Sequence, residues 1–174
     1  LQLADPIEAV SDFFDRGGDV LYLILMVTFF MWMLILERQW YYRRQFPAEA
    51  QAAIDSWNQR SDRTSWYAMQ IRAELISKIR IGLDHSLLMV KSLVAVCPLL
   101  GLLGTVTGMI EVFDVMAIAG SGNVRAMAAG VSKATIPTMA GMVAALSGLY
   151  FSVSMERFAR REAEQVADQL TRDE

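Results

Sequence analysis

Three runs free of charged side chains, Val20–Leu36, Ser92–Ile110 and Ala134–Met155, constrain this chain more than any other feature. They hold 17, 19 and 22 residues, and a helix needs ~20 apolar residues, with a range of about 17–25, to cross hydrocarbon. A bilayer interior has no water to satisfy an open backbone, so each run must close its own hydrogen bonds as a helix. The expectation is an all-α membrane protein with three transmembrane helices. An apolar content of 54% across 174 residues agrees. The first run follows an acidic stretch and precedes no small-residue cleavage site, so it reads as a retained span rather than a leader.

Basic residues near the span ends set the orientation. Residues 1–19 carry one, Arg16, against five acids. Residues 37–91 carry nine, starting with Arg38, Arg43 and Arg44. The link at 111–125 has only Arg125, and the tail opens with Arg157, Arg160 and Arg161. The N-terminus and the link are therefore expected outside, and residues 37–91 and the tail inside. Trp40, Tyr41 and Tyr42 stand where an interfacial aromatic belt would stand.

These signals divide the chain. Residues 1–19 are expected to form an outer amphipathic helix, with Asp5 as cap, Pro6 at its first position and Gly17 or Gly18 ending it. The first span follows at 20–37. A helical cytoplasmic region covers 38–85, its second half marked by Ala68, Ile71, Leu75, Ile79 and Leu83 at helical spacing. The second span, 86–118, is expected to continue that helix without interruption, because only Gly82 weakens the stretch. A turn at 119–125, a third span at 126–156 and a helical tail at 157–174 complete the chain. The spans thus carry long cytoplasmic helical extensions.

The spans differ in kind. The first is built from Leu, Ile, Met, Phe and Trp and reads as lipid-facing. The second holds Gly101, Gly104 and Gly108 on one face, with Thr105 at its edge and Pro98 one turn earlier. The third carries Gly130, Ala134, Thr138, Gly141, Ala145, Gly148 and Ser152 in steps of three and four. Small residues let helix backbones approach where lipid supplies no hydrophobic drive. Two uses of the hydroxyls stay open: each can bond a carbonyl of its own helix, or Thr105 and Thr138 can line a conduit.

No Asp, Glu, His, Lys or Arg lies inside the three runs. A proton path through hydrocarbon uses titratable side chains, so any carrier would have to come from another polypeptide. Lys133 precedes the third run and can pair with Glu111 or Asp114 at the outer end of the second. His85 reads as an interfacial polar residue. One cysteine and one histidine exclude a Cys/His metal cluster, and no cofactor is implied. A net charge of −3 gives no footprint for nucleic acid. No nucleophile–base pair or phosphate loop suggests an enzyme.

The stretch "PLLGLLGTVTGMI" and, further on, G-x-S-x-A-x-x-x-T-x-x-G-x-x-x-A from Gly130 to Ala145 resemble the MotA/TolQ/ExbB proton-channel family, most closely its ExbB branch. The resemblance covers roughly residues 20–160. It implies a homo-pentamer in the bacterial inner membrane with a periplasmic N-terminus, the last two helices lining a central pore. It implies an ExbD-like single-span partner whose aspartate carries the proton, and a TonB-like protein through which proton motive force drives transport across the outer membrane. Thr105 and Thr138 match the family's pore hydroxyls. The family often has Glu at Lys133 and Pro at Ser147. The limited non-membrane region points away from a flagellar stator subunit. A TolQ-like motor for envelope integrity and a non-conducting scaffold, in which the small residues only pack, are the alternatives.

Overall fold

The structure is a computed structural model that describes residues 6–119 and 124–170. Among these residues five helices follow in order: α1 (Pro6–Arg44), α2 (Phe46–Asn58), α3 (Trp66–Asp84), α4 (Leu87–Ala119) and α5 (Val124–Gln169). No strand occurs among the described residues. Among the described residues three stretches are long and apolar enough to cross a membrane: Gly17–Arg44, Trp66–Ala117 and Met127–Gln169. Most of the expected 119–125 turn, like the Asp5 cap, lies outside the described residues.

The chain divides into two compact units, one combining the segment up to Trp32 with Ser92–Leu149, the other Met33–Lys91 with the segment from Tyr150. In the first unit, α1 breaks at Gly18, whose φ of 65° and ψ of −168° are open to glycine and strained for residues with a Cβ. Beyond the break, α1 is not uniformly lipid-facing. Leu21, Ile24 and Met31 are buried at helical spacing, and Leu23, Leu25, Phe29 and Phe30 point outward.

In the second unit, α2 starts with Pro47 in its first turn, where a missing N–H costs nothing. Ser65 caps α3 by accepting from the Ala68 N–H at 3.1 Å. Asp62 organises the turn before it, accepting from the Thr64 N–H (3.2 Å), the Ser65 N–H (3.1 Å) and the Ser65 hydroxyl. These bonds, the Ser65 hydroxyl foremost, hold the Asp62 carboxyl below its ordinary value.

The continuous helix expected from Trp66 through the second span is broken. α3 ends at the His85 cap (ψ 136°), Ser86 takes a left-handed φ of 64°, and α4 begins at Leu87. A break leaves carbonyls of the last turn without helical partners. Here α1 supplies them. The Arg38 guanidinium donates to the Gly82 and Leu83 carbonyls, the latter at 2.8 Å, and the Tyr42 hydroxyl donates to Leu83 at 2.9 Å. Arg38 is 2% exposed and lies 4.7 Å and 5.2 Å from the Tyr41 and Tyr42 ring centres. The external caps make the left-handed Ser86 affordable, which sequence periodicity alone does not reveal. At the far end of α5, Arg72 performs the same service, donating to the Leu170 (2.6 Å) and Ala167 (2.9 Å) carbonyls.

Candidate functional site

α4 and α5 meet through their small residues. A Cβ placed on Gly101 would lie 2.9 Å from the Thr138 Cα, and one on Gly108 would lie 2.6 Å from the Ala134 Cβ. One on Gly104 would collide with Pro137. In the other direction, a Cβ on Gly141 would lie 2.5 Å from the Cys97 carbonyl oxygen. One on Gly130 would meet Val112, and one on Gly148 would meet Met31 and Val94. The pairing 97 with 141, 101 with 138, 104 with 137 and 108 with 134 is antiparallel and leaves room only for backbone. Such contact is the means by which helices associate in lipid.

The sequence stripe and the buried stripe differ in detail. The buried line on α5 runs through Ala134, Pro137, Gly141, Ala144, Gly148 and Ser152. Thr138 and Ala145 are half-buried at its edge, one residue later. Pro137 and Ala144, which the sequence reading passed over as contact residues, occupy the centre. α5 continues through Pro137, as α4 does through Pro98. The Ser152 hydroxyl is buried and has no hydrogen-bond partner among the described residues.

The edge positions have a common side. Thr105 follows Gly104 by one residue, and Thr138 follows Pro137 by one. One residue rotates a helix by about 100°. In an antiparallel pair that same step carries both side chains to the same flank of the contact. The first helix occupies the other flank. There α1 and α5 border an open apolar groove of about 770 Å³, lined on α5 by Ala140, Val143 and Ser147, each one residue before the buried line. Thr28 on its wall turns its hydroxyl onto the Ile24 carbonyl at 2.6 Å. One flank therefore carries α1 and an apolar groove, and the other presents hydroxyls.

The hydroxyls themselves are engaged. Thr138 Oγ1 donates to the Gly101 carbonyl across the two helices at 2.7 Å, and Thr105 Oγ1 donates to its own helix at Leu102, also 2.7 Å. Donation uses the single proton of each and leaves oxygen lone pairs to accept from water or a protonated acid. Near the α4–α5 connection, Lys133 Nζ stands 3.8 Å from Glu111 Oε2, both exposed. Asp114 is exposed, with no ion pair to Lys133. Lys91 and Glu156 pair at 2.9 Å beyond the opposite ends of the two runs. No group of His, Cys, Asp and Glu that could hold a metal occurs among the described residues.

These features define a multi-pass, all-helical membrane protein whose last two spans lock backbone to backbone, with hydroxyls on one flank and a covering helix on the other. The sequence pattern of the MotA/TolQ/ExbB proton channel family matches residues 46–168, and the chain belongs to that family. Among curated proteins it is similar to the putative biopolymer transport protein ExbB-like 1 of Synechocystis sp., 42% identical over 64 residues. That match covers 35% of this chain and 25% of the relative, so the chain spans about a quarter of the length of the relative it matches.

Proposed function

We propose that the chain is a wall subunit of a proton-conducting motor in a bacterial inner membrane. In this reading several copies, five by family analogy, surround the transmembrane helix of an ExbD-like partner. The N-terminus faces the periplasm, and the helices of residues 38–85 and 157–174 lie in the cytoplasm. Work done on a TonB-like protein then energises transport across the outer membrane. The observation that carries the proposal is the flank bearing Thr105 and Thr138, which α1 leaves uncovered. It offers lone pairs and no acid or base, so it can order water beside a proton carrier without competing for the proton.

The test is proton flux in vesicles holding the chain and its single-span partner. Thr138→Val, nearly isosteric, removes the bond to Gly101, which in membranes is worth only ~0.6 kcal/mol on average. Assembly should survive and flux should fall at least tenfold, with Thr138→Ser restoring it. Undiminished flux in the valine variant would exclude Thr138 from the path.

The scaffold reading has one observation in its favour: most of the small residues are consumed by contacts within the chain. It predicts that Thr138→Val is silent and that only a bulky residue at Gly141 or Gly148 impairs the complex. A TolQ-like role in envelope integrity shares every feature of the leading reading and differs in the partner. Rescue of a strain lacking either system separates the two.

A further inference from the structure

Beyond the end of the first uncharged run, α1 and α5 border a second, half-open cavity of about 410 Å³. Its lining is mixed, unlike the apolar groove above. Gln39, Arg43 and Ser154 contribute polar groups; Tyr42, Tyr150 and Phe158 contribute aromatic walls, with the Tyr42 and Phe158 rings 5.0 Å apart. Tyr42 is committed to the α3 end through its hydroxyl. Gln39, Arg43 and Ser154 have no side-chain partner among the described residues. Glu156, beside the lining residue Met155, is neutralised by Lys91 at 2.9 Å. An unpaired guanidinium, an amide and a hydroxyl therefore converge on a space of ligand size.

The level of this space identifies its occupant. Gln39 and Arg43 follow the first run, which ends at Leu36, and Tyr150–Phe158 straddle Met155, the last residue of the third. Aromatic rings and basic side chains at such a level meet lipid headgroups, and basic pockets between spans on the inner side bind anionic ones. We propose that this cavity binds one anionic phospholipid of the leaflet on the side of residues 38–91. Arg43 takes the phosphodiester in a charge-assisted, two-pronged contact. Gln39 and Ser154 hydrogen-bond the polar headgroup, and an acyl chain lies along Phe158 and Met155. The assignment is independent of any proton path. It also gives Arg43 a role that bulk charge bias does not.

The full chain is reconstituted in nanodiscs with equal phosphatidylglycerol and phosphatidylcholine, extracted gently, and its retained lipids are counted by native mass spectrometry. The expected result is an about fivefold preference for phosphatidylglycerol, the effect of one basic residue at an anionic surface. Arg43→Gln should bring the ratio to about one, and Arg43→Lys should keep part of it. Ser154→Leu, which fills the cavity while leaving Arg43 in place, should lower retention of both lipids. An unchanged ratio in Arg43→Gln overturns the proposal, as does equal retention of the two lipids by the unaltered chain. Displacement of phosphatidylglycerol by excess inorganic phosphate also overturns it, since the site would then hold a free oxyanion rather than a lipid.

Discussion

Gly141→Ala adds a single methyl at the tightest backbone approach between α4 and α5. The new Cβ would sit 2.5 Å from the Cys97 carbonyl oxygen and 3.3 Å from the Gly101 Cα, where ordinary contact begins at 3.4 Å. The obstacle at closest range is backbone, so rotamer changes give no relief and the helices must separate. That movement stretches the Thr138–Gly101 hydrogen bond from 2.7 Å. Overpacking costs about 1–3 kcal/mol, and loss of the bond adds ~0.6 kcal/mol. The better helix propensity of alanine returns up to ~1 kcal/mol. The net is a destabilisation of about 0.6–3.6 kcal/mol, opposite in sign to the gain expected at a glycine facing open space. Cys97, the only cysteine and fully buried, reports the same event. Its maleimide labelling should be slow in the unaltered chain and several-fold faster in Gly141→Ala. Leu146→Ala, at an exposed position on α5, should leave labelling unchanged. A Gly141→Ala chain with equal or higher thermal stability and unchanged labelling would refute the interlocked contact.

Arg38→Gln should destabilise the second unit by about 3 kcal/mol, because two carbonyls at the end of α3 lose charge-assisted donors. Faster proteolysis between α2 and α3 measures it, and Arg38→Lys should recover only part of the protection. The Asp62 turn should depend on pH. Its carboxyl is held below the ordinary value of 3.8, so the stabilisation is fully present above that value and is lost as pH falls through the lower folded value. Amide protection factors at residues 64–68 should drop on acidification in the unaltered chain, whereas in Asp62→Asn they should be lower at neutral pH and insensitive to acid.

The three spans were legible because hydrocarbon sets both their length and their lack of charge. The glycine face of α4 was legible because Gly101, Gly104 and Gly108 have no alternative use at that spacing. On α5 the buried line takes in Pro137 and Ala144 beside the Thr138 and Ala145 of the sequence stripe. Thr138 and Ala145 satisfy the 3.6-residue period about as well as Pro137 and Ala144, and a proline is not ordinarily counted as a contact residue. The break at His85–Ser86 was hidden because neither glycine nor proline marks it. It exists through Arg38 and Tyr42, more than 40 positions away, which in the sequence looked only like a basic flank and an aromatic belt. The division of the α4–α5 pair into a flank covered by α1 and a hydroxyl flank follows from which helix packs where, and periodicity within one helix does not encode that.

The central proposal is that this chain supplies walls and leaves proton carriage to a partner. The direct measurement is proton flux into vesicles under an imposed potential, read with an interior pH dye, for the chain alone and for the chain with the proposed ExbD-like single-span partner. The account predicts no flux above protein-free vesicles for the chain alone, and flux with the partner that disappears when the partner's membrane aspartate becomes asparagine. Flux through the chain alone, or flux indifferent to that aspartate, would contradict it.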